Sequence, residues 1–295
     1  MTAKAMQPSD RVNDSGNYAF SSLLGDLRGN LYEVADKKLR EGVAFSRNGE
    51  DMKITLYDDK MTGTNWNGFF DAIGRTYEEN ENNTMQDVIT SFYGSADPNI
   101  RNLIVTNSAD KVASLVQCQE KEMKINGEKK KILYLKIVAG APEYYGGVID
   151  FLWGMSLITE HDHDYSVLYS AVPTALRRFH KDLGYENETI LREVDGVEMD
   201  SGLKKAYEEI MENMSLENVG DGIVQADTDV NPILSLKQKS VENGDTEDYK
   251  RACEKLEGPQ RFFMIRENDS YSYVNAVAAI GTAINKLKIK DVATV

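Results

Sequence analysis

The chain has 295 residues, 41% hydrophobic and 28% charged, with a formal net charge of −14. That balance suits a soluble globular protein of one large domain or two ordinary ones. No run approaches the roughly 18 apolar residues of a membrane span, and the acidity disfavours nucleic acid and anionic membranes as partners.

Residues 1–17 read as a polar N-terminal arm without the apolar stretch of a secretory signal. The next segment, 18–39, places Phe20, Leu23, Leu24, Leu27, Leu31 and Val34 at helical spacing, and Gly42 stops it. "VAFSRNGEDMKITLY" predicts a hairpin around Asn48-Gly49. Trp66, Phe69, Phe70, Ile73 and Tyr77 predict a helix, and Met85, Val88, Ile89 and Phe92 resume the same period after a polar break. Asp97-Pro98 marks a turn before the short strand "NLIVTN".

Residues 112–139 carry the longest strand signal, folded at Asn126-Gly127 into a hairpin. Its charged tip, from Lys121 to Lys131, is expected to extend past the core into solvent or onto a neighbour. An apolar segment, 143–160, then runs to the two histidines of "EHDHD". A strand over 165–172 follows, then a helix opened by Pro173 and closed by Gly184. Asp200 or Ser201 caps a helix ending near Met214. Residues 215–245 read as a long connection, 246–258 as a short helix, 261–266 as a strand and 273–289 as a small-residue helix.

Helices and strands without regular alternation predict an α+β fold. The strands are expected to be mostly antiparallel, around one large core, with a helix-rich C-terminal third. The organisation read from the sequence is an arm at 1–17, an α+β core at 18–184, and an acidic, mainly helical region at 185–295 packed on that core. Residues 181–260 alone hold 20 acidic and 9 basic side chains, which reads as a solubilising face.

The candidate chemistry centres on histidine. His161 and His163 would share one face of a strand, and His180 is the third histidine of the chain. Together they form a candidate site for one divalent metal, with Glu160, Asp162 or Asp164 as general base. Asp227, Asp229 and Asn231 open like a calcium loop, but Pro232 and Gln238 stand where glycine and a bidentate glutamate are needed. Cys118 and Cys253 lie far apart and lack the neighbours that stabilise a thiolate, which fits a reducing, cytoplasmic setting. No phosphate-binding glycine motif or serine nucleophile elbow is present.

With catalytic motifs missing, the arm, the long hairpin and clusters of the 15 tyrosines point to a non-enzymatic structural or interaction protein. It would act by assembling with itself or another protein, without cofactor, in a virus or phage particle for example. The alternatives are a metal-dependent hydrolase on the three histidines, and an acidic inhibitor that mimics a polyanion toward a basic partner.

Overall fold

The computed structural model describes residues 40–47, 50–57, 100–140, 163–225 and 247–268. Among these described residues nine strands form one sheet: β1 (Val43–Arg47), β2 (Glu50–Tyr57), β3 (Ile100–Asn107), β4 (Val112–Ile125), β5 (Glu128–Gly140), β6 (Tyr165–Ser170), β7 (Glu217–Gly220), β8 (Ile223–Gln225) and β9 (Gln260–Glu267). Their order is β1-β2-β3-β4-β5-β6-β9-β8-β7. Every pairing is antiparallel except that of β5 with β6. The α+β expectation and the mostly antiparallel sheet therefore hold.

Four short helices accompany the sheet among the described residues. Helix α1 (Pro173–Arg177) continues into a π turn, Arg178–Asp182, and α2 (Glu188–Ile190) into another, Leu191–Asp195. The others are α3 (Ser201–Asn213) and α4 (Glu247–Cys253). Pro173 opens α1 with its φ already preset. Asp200 caps α3 by accepting from the Gly202 and Leu203 amides at 2.8 and 3.1 Å.

Alternation along the strands makes two cores rather than the single one expected. On the first face Leu103, Val116, Leu133, Leu135, Leu168, Phe262 and Met264 pack with Leu176 and Phe179 of the α1 segment and Tyr249 and Ala252 of α4. On the second face Ile132, Tyr134, Val167, Phe263 and Ile265 pack against Ala206, Tyr207, Ile210 and Met211 of α3. A strand buried on both sides has no polar face to show, which explains the apolar run from Phe262 to Ile265 in β9, flanked by the buried Arg261 and Arg266.

Several expectations are corrected. Residues 217–225, read as part of a long connection, form the β7–β8 hairpin. Its turn residues Asp221 and Gly222 have φ of 53° and 76°, the backbone an Asp-Gly turn requires. The helix-rich C-terminal third is not confirmed, because its described residues supply three strands beside the helices. The tip of the β4–β5 hairpin is exposed at Glu122, Lys124 and Asn126 to Lys129, as expected, but it is also anchored on α3. Ile125 is fully buried against α3, and the Asn126 amide donates to Glu209 Oε2 at 2.6 Å. The arm at 1–17, the helices read over 18–39, 65–94 and 273–289, the 143–160 segment, the Asn48-Gly49 turn and Asp227, Asp229 and Asn231 lie outside the described residues.

Candidate functional site

Among the described residues the single parallel pair is also a short one. Residues Ile132 to Leu135 of β5 pair with Tyr165 to Leu168 of β6, and the pairing ends there. Strand β5 continues to Gly140 and β6 to Ser170 without meeting again. The cause is visible in the register of β4 with β5. Gln117 opposes Ile137 while Cys118 opposes Leu135, so Lys136 is an extra, bulged residue. A bulge bends its strand and increases the local twist. Here it carries β5 away with β4, while β6 stays with β9 through Tyr169 and Ser170.

The result is a wedge at the carboxyl ends of two parallel strands. Ligands of sheets with parallel strands gather at such ends, where neighbouring strands part. Among the described residues, the edge of β5 beyond Leu135 has no strand partner on the β6 side. A strand edge of this kind can accept an extended ligand through its main chain.

The two faces of the sheet differ at this point. On the first face Leu135 and Leu168 are buried with Leu176, so the α1 segment closes that side with apolar side chains. The second face carries polar and aromatic groups. Asn102 opposes Gln117 across β3 and β4, and Gln117 opposes Ile137 of the diverging strand. Gln119 opposes Tyr134, whose ring lies 5.7 Å from that of Tyr169. Gln117 Nε2 donates to Asn102 Oδ1 at 2.9 Å, and both residues are buried. Sequence reasoning passed over this pair. The available signal was an amide side chain at a core position of each strand, in "NLIVTN" and "SLVQCQ".

The histidines take separate places. His163 is buried ahead of β6, with Nε2 3.7 Å from Glu120 Oε1 of β4, and Glu120 pairs with Arg101 at 2.6 Å. His180 is buried in the π turn after α1, with Nδ1 2.8 Å from the Tyr249 hydroxyl and Nε2 3.1 Å from Asp195 Oδ2. A carboxylate only accepts, so Nε2 carries the proton and Nδ1 accepts from Tyr249. Burial pushes the imidazole below its ordinary pKa, although Asp195 acts the other way. Burial also pushes the Tyr249 hydroxyl up, so it remains a protonated donor. With Lys181 also paired to Asp195, these groups tie the α1 and α2 segments to α4. No three His, Cys, Asp or Glu side chains among the described residues converge to hold a metal. His161 lies outside them. Cys118 is buried in β4, and Cys253 is half-buried in α4.

No protein-family model matches the sequence, and no curated protein matches it. Solved structures similar to part of the chain include a GCN5-related N-acetyltransferase from Kribbella flavida, at 22% identity and a TM-score of 0.36. The match covers 46% of this chain and 33% of that one, so it spans a third of that protein. A GNAT family N-acetyltransferase, YhbS, from Escherichia coli in complex with CoA is similar at 17% identity and a TM-score of 0.34, over 45% of this chain and 68% of that one. A spermidine N-acetyltransferase from Vibrio cholerae in complex with CoA and spermine is similar at 17% identity and a TM-score of 0.31, over 46% of this chain and 82% of that one. These neighbours are enzymes, not particle components. The expectation of a non-enzymatic assembly protein in a virus or phage particle finds no counterpart among them and is corrected to that extent. The described residues contain no helix long and apolar enough to cross a membrane.

Proposed function

We propose that this chain is an acyltransferase that takes its acyl group from a coenzyme A thioester and binds that donor in the wedge between β5 and β6. The observation that carries the reading is the end of the parallel pairing at Leu135 and Leu168, with the bulge at Lys136 turning β5 away. The edge of β5 over 136–140 offers main-chain donors and acceptors in a row. A slender ligand with amides of its own satisfies such a row as a further strand would, and the arm of coenzyme A is of that kind. Leu135, Leu168 and Leu176 wall the first face and keep water from that side. Bound coenzyme A thioester supplies an activated acyl group for a nucleophile.

The test is hydrogen exchange with and without coenzyme A, alongside calorimetric titration. Amides of 136–140 and of 169–170 should gain protection, and the melting temperature should rise with ligand concentration. Absence of both heat and protection at millimolar coenzyme A or acetyl-coenzyme A would sink the proposal.

A further inference from the structure

We infer that His180 is a proton-operated latch: on protonation the imidazole stays with Asp195 and lets go of α4, so mild acid frees this one helix from the first face of the sheet. Three segments meet at the ring. His180 lies in the π turn after α1, Asp195 ends the π turn after α2, and Tyr249 belongs to α4. His180 and Tyr249 are both buried. Nε2 stands 3.1 Å from Asp195 Oδ2, and Nδ1 stands 2.8 Å from the Tyr249 hydroxyl. The device is independent of what the wedge binds.

The neutral ring suits both partners at once. Nε2–H donates to the carboxylate, and Nδ1 accepts from the Tyr249 O–H. A proton added at Nδ1 makes both ring nitrogens donors. The new N–H then faces an O–H that was itself donating. The hydroxyl oxygen receives it only by turning its own hydrogen away, and among the described residues that hydroxyl has no other partner. Toward Asp195 the same proton is favourable, because the pair becomes one of opposite charges. One proton therefore acts on the two partners in opposite senses.

Burial is the main force holding the ring below its ordinary pKa, with Asp195 opposing it and Lys181 adding to it. An opening that hydrates the ring and keeps Asp195 restores its proton affinity, so protons favour that opening. Lifting α4 does this. Moving the α2 turn does not, because it takes Asp195 away. Only two residues of α4, Tyr249 and Ala252, are buried. Lys255, just past α4, pairs with Glu193 of the α2 turn, but an ion pair at the surface adds little to the hold. The other charges around the Tyr249 hydroxyl are Arg177, Asp182 and Asp248. Arg177 pairs with Asp182 at 3.6 Å, and Asp248 pairs with Arg251. Glu186 faces Asp195 from beside β9, and burial pushes its carboxyl up, so it is a second group there that takes up protons in acid.

The experiment follows amide hydrogen exchange of wild type and His180→Gln from about pH 7.5 down to about pH 5, a range that spans the ordinary histidine value. Rates are divided by those of an unfolded chain at the same pH, so that they report opening alone. A glutamine amide can donate to Asp195 and accept from Tyr249 without titrating, and the variant leaves Glu186 as it is. Wild-type protection over 247–253 should fall by up to about tenfold for each pH unit, the limit for one proton. Residues 173–182, 188–195 and 201–213 should keep theirs. His180→Gln should hold its α4 protection throughout. Should that variant not fold, Asp195→Asn is read instead: without the carboxylate to retain the imidazolium, release of α4 should begin at lower pH. Constant α4 protection in wild type, a fall shared by the α1 and α2 segments, a fall that persists in His180→Gln, or an unmoved onset in Asp195→Asn overturns the latch.

Discussion

Replacing Gly222 by alanine should destabilise the fold more than any other single methyl addition at a described glycine turn. Gly222 has φ of 76°, and a Cβ built there would lie 2.4 Å from the Tyr207 hydroxyl and 2.6 Å from Asn187 Nδ2. Neither neighbour can retreat cheaply. Asn187 is wholly buried and donates to the Gly222 and Phe263 carbonyls, both at 2.8 Å, while its Oδ1 accepts from the Ile190 amide at 3.0 Å. Tyr207 donates to the Phe263 carbonyl at 3.0 Å. The left-handed backbone alone costs a non-glycine residue about 1–2 kcal/mol. Displacing one or two buried hydrogen bonds adds about 1–3 kcal/mol each, so the total is about 2–8 kcal/mol. Gly196 supplies the internal control, with φ of 68° and no atom within 4 Å of an added Cβ. Gly196→Ala should cost only the backbone term. Urea unfolding of both variants measures the difference directly. Equal midpoints for the two would refute the claim that the contacts of Asn187 and Tyr207, rather than φ, make glycine necessary at 222.

Three further outcomes follow from the same structure. Asn187→Ala should lose about 3 kcal/mol or more by urea unfolding, since it leaves the Gly222 and Phe263 carbonyls and the Ile190 amide short of a partner. The His180 imidazole is held below its ordinary value near 6.5, chiefly by burial. The stability it contributes is therefore present above that pH and declines as pH falls through the ordinary value toward the lowered one. Melting curves taken across that range should fall for wild type and flatten in that window for His180→Gln. Ile125→Ala should cost about 2–4 kcal/mol and speed hydrogen exchange over 121–131, because that side chain anchors the hairpin tip on α3.

Residues with short-range causes were readable from the chain. Asn126-Gly127 demanded a tight turn, and the φ values of 52° and 80° agree with it. Pro173, Gly184 and Asp200 mark boundaries by their own backbone and capping chemistry. Asp221-Gly222 carried the same kind of signal, but its polar surroundings hid the short strands on either side. The strand character of 102–107, 165–170 and 261–266 followed from apolar runs bounded by turn residues.

What the sequence determined by itself, then, was the α+β class and most of the strands and short helices in the described regions, because alternation and turn chemistry act over a few residues. The site was a different matter. That β6 lies parallel to β5, that Lys136 is the residue the ladder leaves out, and that the pairing ends at Leu135 and Leu168 all depend on register between distant segments. Histidine drew attention because its chemistry is conspicuous in a one-dimensional reading, yet the structure gives His163 and His180 separate partners. Only tertiary structure decides which strand edge is left without a neighbour, because pairing energy is shared between strands and belongs to neither alone.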